Sequence, residues 1–412
     1  MIKDFDLLKR NYARLIIHRG LNIPKGRIIR ITAYLDQPDF IATLVDECYQ
    51  SGAKRVYVDW IYPPIERIIK KETALNDLKN LTSLQKEKIA FDIKHNVSYI
   101  LIDSVDPFYL NGLDPLRASL PENSTRAYSK KLRGDQGYYA PYTIASVPGE
   151  AWAKRVFPHL SKEKAIEKLW EYIFKFSHVN KNDPFKEWDE HCKEIDQRAM
   201  WLNKLNIKSL HYTSKNGTDL TIQMTDKYQF NATADFDILT KRRYYSNIPT
   251  EECFVSPDYR YTEGFVVISK PICQNGQMIE GATLRFKKGR IVEIHAKKNE
   301  RLLKQLINVD EGSHYLGEAS LVPYSSLINQ SQILFLNTLF DENAVCHFAF
   351  GECYRYTYHG YKKLSKDELA KRGLNFANDH VDFMIGTKDL NIMATTKDGK
   401  KVPIFKNGEW AK

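Results

Sequence analysis

The chain has 412 residues, of which 43% are apolar and 27% are charged. This length suffices for two to three domains of about 150 residues, and the composition excludes a miniprotein, a disordered chain and a collagen-like chain. The formal net charge of +10 suggests nucleic acid or an anionic membrane as a partner. The excess positive charge is distributed along the whole chain, however, whereas binding along a phosphate backbone requires a concentrated basic surface.

The first half of the chain has the pattern of parallel βαβ units. Charged residues alternate with Leu and Ile at helical spacing near the N-terminus, and apolar, β-branched runs alternate with amphipathic stretches after it. The pattern predicts strands at 27–34, 53–60 and 98–103 and helices at 38–51, 161–176 and 184–208.

The predicted secondary structure changes near residue 205, from alternating helices and strands to short strands and turns. Asn216-Gly217 lies between two alternating runs, which predicts a β-hairpin, and short strands separated by Gly, Pro and Asn follow. We therefore expect an α/β fold class, with an N-terminal α/β domain of parallel βαβ units over 1–205. A C-terminal β-rich α+β domain is expected over 206–412.

The cysteines and the N-terminus favour a cytoplasmic location. The six cysteines form no CxxC pair, so structural disulfides are not expected. The N-terminus lacks the apolar core of a signal peptide, and the least charged stretch, 325–340, is too short and polar to span a bilayer.

The usual nucleotide, dinucleotide and hydrolase motifs are absent. The sequence has no Walker A loop, no GxGxxG after a strand, no GxSxG elbow and no HExxH helix. The remaining chemical signals are carboxylates and imidazoles in the second half of the chain.

The clearest signal is the run 379–385, Asp-His-Val-Asp-Phe-Met-Ile. Strand alternation sends Val381 and Phe383 to one face and His380 and Asp382 to the other. An imidazole and a carboxylate two residues apart can share a cation. The alternative is a solvated strand face.

Other acids and imidazoles lie in apolar or turn-forming surroundings. The apolar flanks of Glu342 and His347 suggest burial, and a buried carboxylate needs a partner or a metal. Each residue alone also has an interpretation without a metal. His347 could be a buried core histidine, Glu252 beside Glu251 could mark the end of a strand, and Glu318 could be a turn residue. Taken together, this carboxylate-rich set exceeds the three protein ligands of one catalytic zinc and indicates a dinuclear site.

Several segments resemble the thermophilic metallo-aminopeptidase family that includes aminopeptidases T and S. The similar C-terminal segments are 247–272, 279–296, 316–326, 340–354 and 378–386, and the N-terminal ones are 30–60 and 145–158. The resemblance therefore covers most of the chain.

The resemblance implies a set of site residues. Glu318 would be the bridging carboxylate and, with Tyr354, a catalytic residue. Independently of the resemblance, the leaving amine needs a proton, and Glu318 and Glu251 are the candidate carriers. Cys253 and Cys346 stand where the family has branched or small residues, and we expect them to be buried hydrophobes. The implied metal ligands are Glu252, Glu318, Glu342, His347, His380 and Asp382.

The resemblance also implies an activity, cofactors and partners. The chain would be a metallo-aminopeptidase that removes N-terminal residues from peptides with a hydroxide activated by two divalent metals, which could be Zn, Co, Mn or Mg. Its substrates would be peptides with a free N-terminus. A homodimer is implied, in which the N-terminal domain contributes to substrate access and dimer contacts.

Two alternatives remain open from the sequence. A metallohydrolase of the same fold could act on another amide. In a different class, a basic nucleic-acid-binding protein would use the run 241–245, Lys-Arg-Arg-Tyr-Tyr, as its patch of cations and stacking aromatics.

Overall fold

The computed structural model describes residues 2–134, 139–274 and 276–412. The helices within them, numbered α1 to α13, are Phe5–Leu15, Pro38–Gln50, Pro63–Glu72, Leu75–Lys79, Ser83–Lys94, Pro115–Arg133, Glu150–Val156, Lys162–Phe176, Pro184–Lys204, Glu300–Ile307, Leu327–Gln330, Thr338–Asp341 and Lys366–Lys371. None of the helices in this described part of the chain is long and apolar enough to cross a membrane.

In the second half of the chain, the strands of the described residues are short, as the frequent Gly, Pro and Asn residues between them predict. Numbered β1 to β20, they are Ile28–Tyr34, Arg55–Ile61, Ser98–Asp103, Tyr142–Ser146, Ile207–Thr213, Asp219–Gln223, Asp235–Phe236, Arg243–Tyr244, Cys253–Val255, Glu263–Val267, Ile272–Gln274, Gln277–Ile279, Thr283–Lys287, Arg290–His295, Leu316–Leu321, His347–Gly351, His380–Met384, Asn391–Thr396, Lys401–Lys406 and Glu409–Trp410.

The described residues divide into two compact units. The first comprises Met1–His191 and Ala234–Thr250, and the second comprises Cys192–Thr233 and Glu251–Lys412. The sequence placed one division near residue 205, whereas the chain passes between the units three times and first does so inside α9. The helical pattern of α9 continues through this point, so no turn signal marks the division.

The first unit contains the predicted parallel sheet. Its strands lie in the order β2-β1-β3-β4, and each neighbouring pair is parallel. The helix between β1 and β2 begins at Pro38, whose fixed φ suits a first helical position. On one side the core is aromatic, because the rings of Tyr12, Phe40 and Trp170 pack against one another. The prediction of βαβ units is confirmed.

The last helix of the first half ends before the sequence pattern does. The prediction of a helix over 184–208 is wrong at its end, because α9 stops at Lys204 and β5 begins at Ile207. Asn206 between them has a left-handed φ of 52°, a conformation that a helix cannot continue through and that Asn tolerates.

The second unit is built from antiparallel sheets. The predicted hairpin is confirmed as β5 and β6, with Gly217 at a φ of 107° in the turn. These strands belong to the sheet β14-β13-β10-β6-β5-β18-β19-β20, and a second sheet has the order β17-β16-β15-β9. The two sheets pack together through side chains such as Tyr212 and Phe348, whose ring centroids are 5.0 Å apart. The second sheet therefore has one face in this core, and its other face points away from the core.

Candidate metal centre

The second sheet presents most of the expected ligands on the face away from the core. On β17, Val381 and Phe383 belong to the hydrophobic core, so His380 and Asp382 lie on the other face. His380 and Asp382 are only half-buried, with exposed side-chain fractions of 19% and 13%. The alternation predicted for this segment is confirmed.

The strand at the centre of this sheet leaves room above it. Ala349 of β16 is the cross-strand neighbour of Glu318 on one side and of Asp382 on the other. Gly351 occupies the corresponding position beside His380. Ala349 and Gly351, whose side chains are a methyl group and a hydrogen atom, therefore form the floor between the longer polar side chains of the neighbouring strands. A larger residue at Ala349 would fill the space between the ligand atoms.

Glu318 lies inside a strand, so the possibility of a plain turn residue is excluded. Gly317 before it permits close packing, because a Cβ there would lie 2.4 Å from the carbonyl oxygen of Glu352. Packing thus requires the glycine at position 317, and the metal site would require the glutamate at position 318.

The ligand atoms form two groups that share one carboxylate. Glu252, Glu318 and His347 offer donor atoms within 4.8 Å of one another, and Glu318, His380 and Asp382 do the same. Imidazole and carboxylate donors are a common ligand set for divalent first-row metals. We call the six expected ligands the carboxylate–histidine cluster; they are Glu252, Glu318, Glu342, His347, His380 and Asp382.

Within the first group, a hydrogen-bonded carboxylate faces an imidazole. The Nε2 atom of His347 lies 3.2 Å from Oε2 of Glu252, and the hydroxyl of Ser320 donates to the same oxygen at 2.5 Å. The Nδ1 atom of His347 is buried and has no hydrogen-bond partner among the described residues. The Ser320 contact was missed from the sequence, although period-two alternation from Glu318 places Ser320 on the same face.

In the second group, the backbone sets the tautomer of His380. Its Nδ1 atom lies 2.7 Å from the carbonyl oxygen of Glu352, and a carbonyl can only accept, so Nδ1 carries the proton. The Nε2 atom then faces Oε2 of Glu318 at 3.1 Å and Oδ1 of Asp382 at 3.3 Å. This arrangement, with one ring nitrogen held by a carbonyl, is usual for metal-binding histidines.

Burial and mutual repulsion disfavour negative charge on two members of the cluster. Burial, which is the largest cause, and the charge of Glu252 together raise the pKa of Glu318 to about 7 against the lowering effect of His380. Burial and the charges of Asp382 and Glu252 raise the pKa of Glu342 well above its ordinary value. Protons therefore compensate the buried negative charge when no cation is present.

The pKa values of the two imidazoles are also raised, but by the neighbouring carboxylates and against the effect of burial. Burial lowers the pKa of His347, but the hydrogen bond and charge of Glu252 raise it to about 10. Burial likewise lowers the pKa of His380, but Asp382 and Glu318 raise it well above its ordinary value. The residues fit a metal site, because a bound cation replaces these protons and relieves the repulsion between the acids.

Glu342 and Tyr354 border the two groups without belonging to either. Glu342 lies in the turn after α12 and interacts electrostatically with Asp382 and Glu252. The hydroxyl of Tyr354 lies 3.5 Å from Nε2 of His380, and the two ring centroids are 5.1 Å apart. The structure therefore brings all six expected ligands and Tyr354 into one region.

The two cysteines next to ligands face away from this region. The Sγ atom of Cys253 donates to the carbonyl of Ile195, and that of Cys346 donates to the carbonyl of Val322. Both residues belong to the hydrophobic core, and burial raises the pKa of Cys346 to about 12. They pack as small hydrophobes.

Residues 6–410 match the family model described as thermophilic metalloprotease (M29). The chain belongs to this family. It is 38% identical to aminopeptidase AmpS of Bacillus subtilis (strain 168) over 99% of each chain. It is 36% identical to aminopeptidase PepS of Streptococcus thermophilus, over 100% of this chain and 99% of that one. The structure of wild-type AmpT from Thermus thermophilus matches with a TM-score of 0.89 and 30% identity, over 99% of this chain and 100% of that one.

Membership of the thermophilic metalloprotease family decides between the classes considered from the sequence. The chain is a metal-dependent hydrolase, and the resemblance and the α/β fold class are confirmed. The nucleic-acid alternative is wrong on geometry as well, because Tyr244 and Tyr245 are only 7% and 4% exposed. Buried rings cannot serve as a platform for stacking bases.

Proposed function

We propose that the chain is an aminopeptidase that removes N-terminal residues from peptides and that its carboxylate–histidine cluster holds two divalent cations. The observation that carries this proposal is the pair of three-ligand groups joined at Glu318. The relatives AmpS and PepS, which are named aminopeptidases and align over nearly the whole chain, support it.

The charge balance supports two cations. The cluster contains four carboxylates and two imidazoles in a buried or half-buried region. Two divalent cations neutralise four carboxylates when both imidazoles are neutral, whereas one cation leaves a net negative charge in a region that disfavours it. Glu252 and His347 would hold one cation, His380 and Asp382 the other, with Glu318 shared and Glu342 close to both.

In the proposed reaction, the cations and the side chains have different roles. Divalent cations at this place would polarise the scissile carbonyl and lower the pKa of a water so that hydroxide is available near neutral pH. The hydroxyl of Tyr354 would donate a hydrogen bond to the oxygen on which negative charge develops. The leaving amine needs a proton, for which Glu318 and Glu251 are the candidate carriers.

The acidic character of the cluster also suits an exopeptidase. A free α-amine has a pKa near 8, so at neutral pH its protonated form would pair with a carboxylate oxygen of the cluster and its neutral form would coordinate a divalent cation. An acetylated N-terminus has neither the charge nor the free lone pair. The proposed enzyme therefore selects substrates by the free amine.

Metal identity, assembly and location are part of the same proposal. Two imidazoles favour Zn or Co over Mg, whereas the four carboxylates also suit Mn. We further propose a homodimer in the cytoplasm, with the first unit contributing to substrate access and dimer contacts. The sequence resemblance supports the homodimer, and the lack of a CxxC pair in the sequence supports a reducing compartment. Analytical ultracentrifugation and cell fractionation test these two points.

A panel of aminoacyl amides and their N-acetylated counterparts tests the activity. The metal-free protein should be inactive on every member, and added Zn or Co should restore hydrolysis of the free-amine compounds alone. Equal hydrolysis of the acetylated compounds would instead indicate an amidase of broader class. Hydrolysis that persists under strong chelation would contradict metal dependence.

A further inference from the structure

The side chain of Asn343 connects two separate segments that carry expected ligands. It lies in the turn after α12 and is fully buried. Its Oδ1 atom accepts the backbone N–H of Glu251 at 2.8 Å. Its Nδ2 atom donates to the carbonyl of Leu339 at 2.9 Å and to Oε1 of Glu342 at 3.3 Å.

The oxygen and the nitrogen of this amide each hold a segment that carries an expected ligand. Glu251 immediately precedes Glu252, so the bond to Oδ1 fixes the backbone from which Glu252 projects. The bond from Nδ2 reaches the carboxylate of Glu342 directly. One buried side chain therefore holds the segment that carries Glu252 and the carboxylate of Glu342 at one relative placement, whether or not a cation is present.

We propose that Asn343 is a positioning residue whose amide sets the relative placement of Glu252 and Glu342 and thereby the affinity of the cluster for divalent cations. This inference rests on the proposed function, in which Glu252 and Glu342 are ligands. Neither hydrogen bond follows from the ligand pattern, and Asn343 itself contributes no ligand atom.

The chemistry of the position requires an amide. Aspartate has nearly the same shape and keeps an acceptor for the N–H of Glu251. When ionised it cannot donate to Glu342 or to the Leu339 carbonyl, and it places another negative charge against Glu342. Alanine removes all three hydrogen bonds and adds no charge. Substitution of residues that orient metal ligands typically weakens metal binding or activity by about 10- to 100-fold.

A purely structural role would have a different signature. A buried asparagine that only ties backbone segments together would lower the melting temperature when substituted and leave the cation affinity of the folded protein unchanged. Asn329 provides the matched control, because it is also buried in the second unit and its Nδ2 atom donates to the carbonyl of Tyr324 at 2.8 Å. None of the contacts found for the Asn329 side chain within the described residues involves an expected ligand.

The experiment measures Co²⁺ affinity of the metal-free full chain by calorimetry and by the visible absorption of bound Co²⁺. We expect Asn343→Asp to bind about 10- to 100-fold more weakly than the wild type, with Asn329→Asp within about twofold. Turnover of Asn343→Asp should recover as the Co²⁺ concentration is raised. If circular dichroism shows that Asn343→Asp is unfolded, Asn343→Ala decides, with the same expected direction.

The outcomes separate this inference from the proposed function. Wild-type affinity in a folded Asn343 variant, or an equal loss in the Asn329 variant, would overturn the positioning role. A wild-type chain that binds no Co²⁺ would overturn the proposed metal site itself.

Discussion

Replacing Glu318 by glutamine should stabilise the metal-free protein although it removes the central ligand. Glu318 is 3% exposed, and burial together with the charge of Glu252 raises its pKa from 4.5 to about 7. At about 1.36 kcal/mol for each pKa unit, ionised Glu318 costs the folded state roughly 3 kcal/mol at pH 8. The Glu318→Gln variant has the same shape and does not carry this cost.

The pH dependence follows from the direction of the shift. Below pH 4.5 the carboxyl is protonated in both folded and unfolded chains, so it contributes no difference. Between pH 4.5 and about 7 the unfolded chain loses the proton first, and stability falls as the pH rises. Above about pH 7 the cost is fully present. Glu318→Gln should therefore raise the free energy of unfolding at pH 8 and change it little at pH 4.5.

Chemical denaturation with a chelator present measures this effect. Glu293→Gln, at an exposed carboxylate on β14, is the control and should match the wild type at both pH values. Addition of Zn²⁺ at about 100 times its Kd should stabilise the wild type by about 2.7 kcal/mol for each bound cation and leave Glu318→Gln unchanged. A variant that is no more stable than the wild type at pH 8, or equally stabilised at both pH values, would refute the electrostatic reasoning.

Three further predictions concern the surroundings of the cluster. Tyr354→Phe should lower kcat by about 100- to 1,000-fold, as loss of an oxyanion donor does, and leave the Kd for Co²⁺ within about twofold in calorimetry; a large change in that Kd would make Tyr354 a ligand instead. Ala349→Val should abolish Co²⁺ binding while circular dichroism stays native, because the added methyl groups occupy the floor beside Glu318; unchanged binding would show that the space lies elsewhere. Cys346→Ala should keep the metal stoichiometry of the wild type and cost about 1 kcal/mol of stability in denaturant titration, whereas loss of a cation would contradict its place in the core.

The sequence predicts the parts of the site that depend on local periodicity. The alternation over 379–385 places His380 and Asp382 on one face because Val381 and Phe383 are apolar, and the structure has this arrangement. The turn chemistry of Asn216-Gly217 likewise predicts the hairpin of β5 and β6. In both cases the deciding interactions lie within a few residues.

The contacts that orient the expected ligands could not be predicted in the same way. The bond between Asn343 and the N–H of Glu251 joins residues 92 positions apart, and the bond between Ser320 and Glu252 joins residues 68 apart. No local pattern encodes such pairs. The return of 234–250 to the first unit is hidden for the same reason, because it depends on long-range packing.

The binding of two cations by one cluster is tested most directly by metal titration of the chelator-treated chain. Equilibrium dialysis against Zn²⁺ or Co²⁺, followed by elemental analysis and assay of the same samples, gives the number of bound ions beside the activity. We expect two ions per chain in the wild type, activity that returns as they bind, and loss of both ions in Glu318→Ala. A chain that is active with no bound ion, or a Glu318→Ala variant that still binds two, would contradict the proposed site.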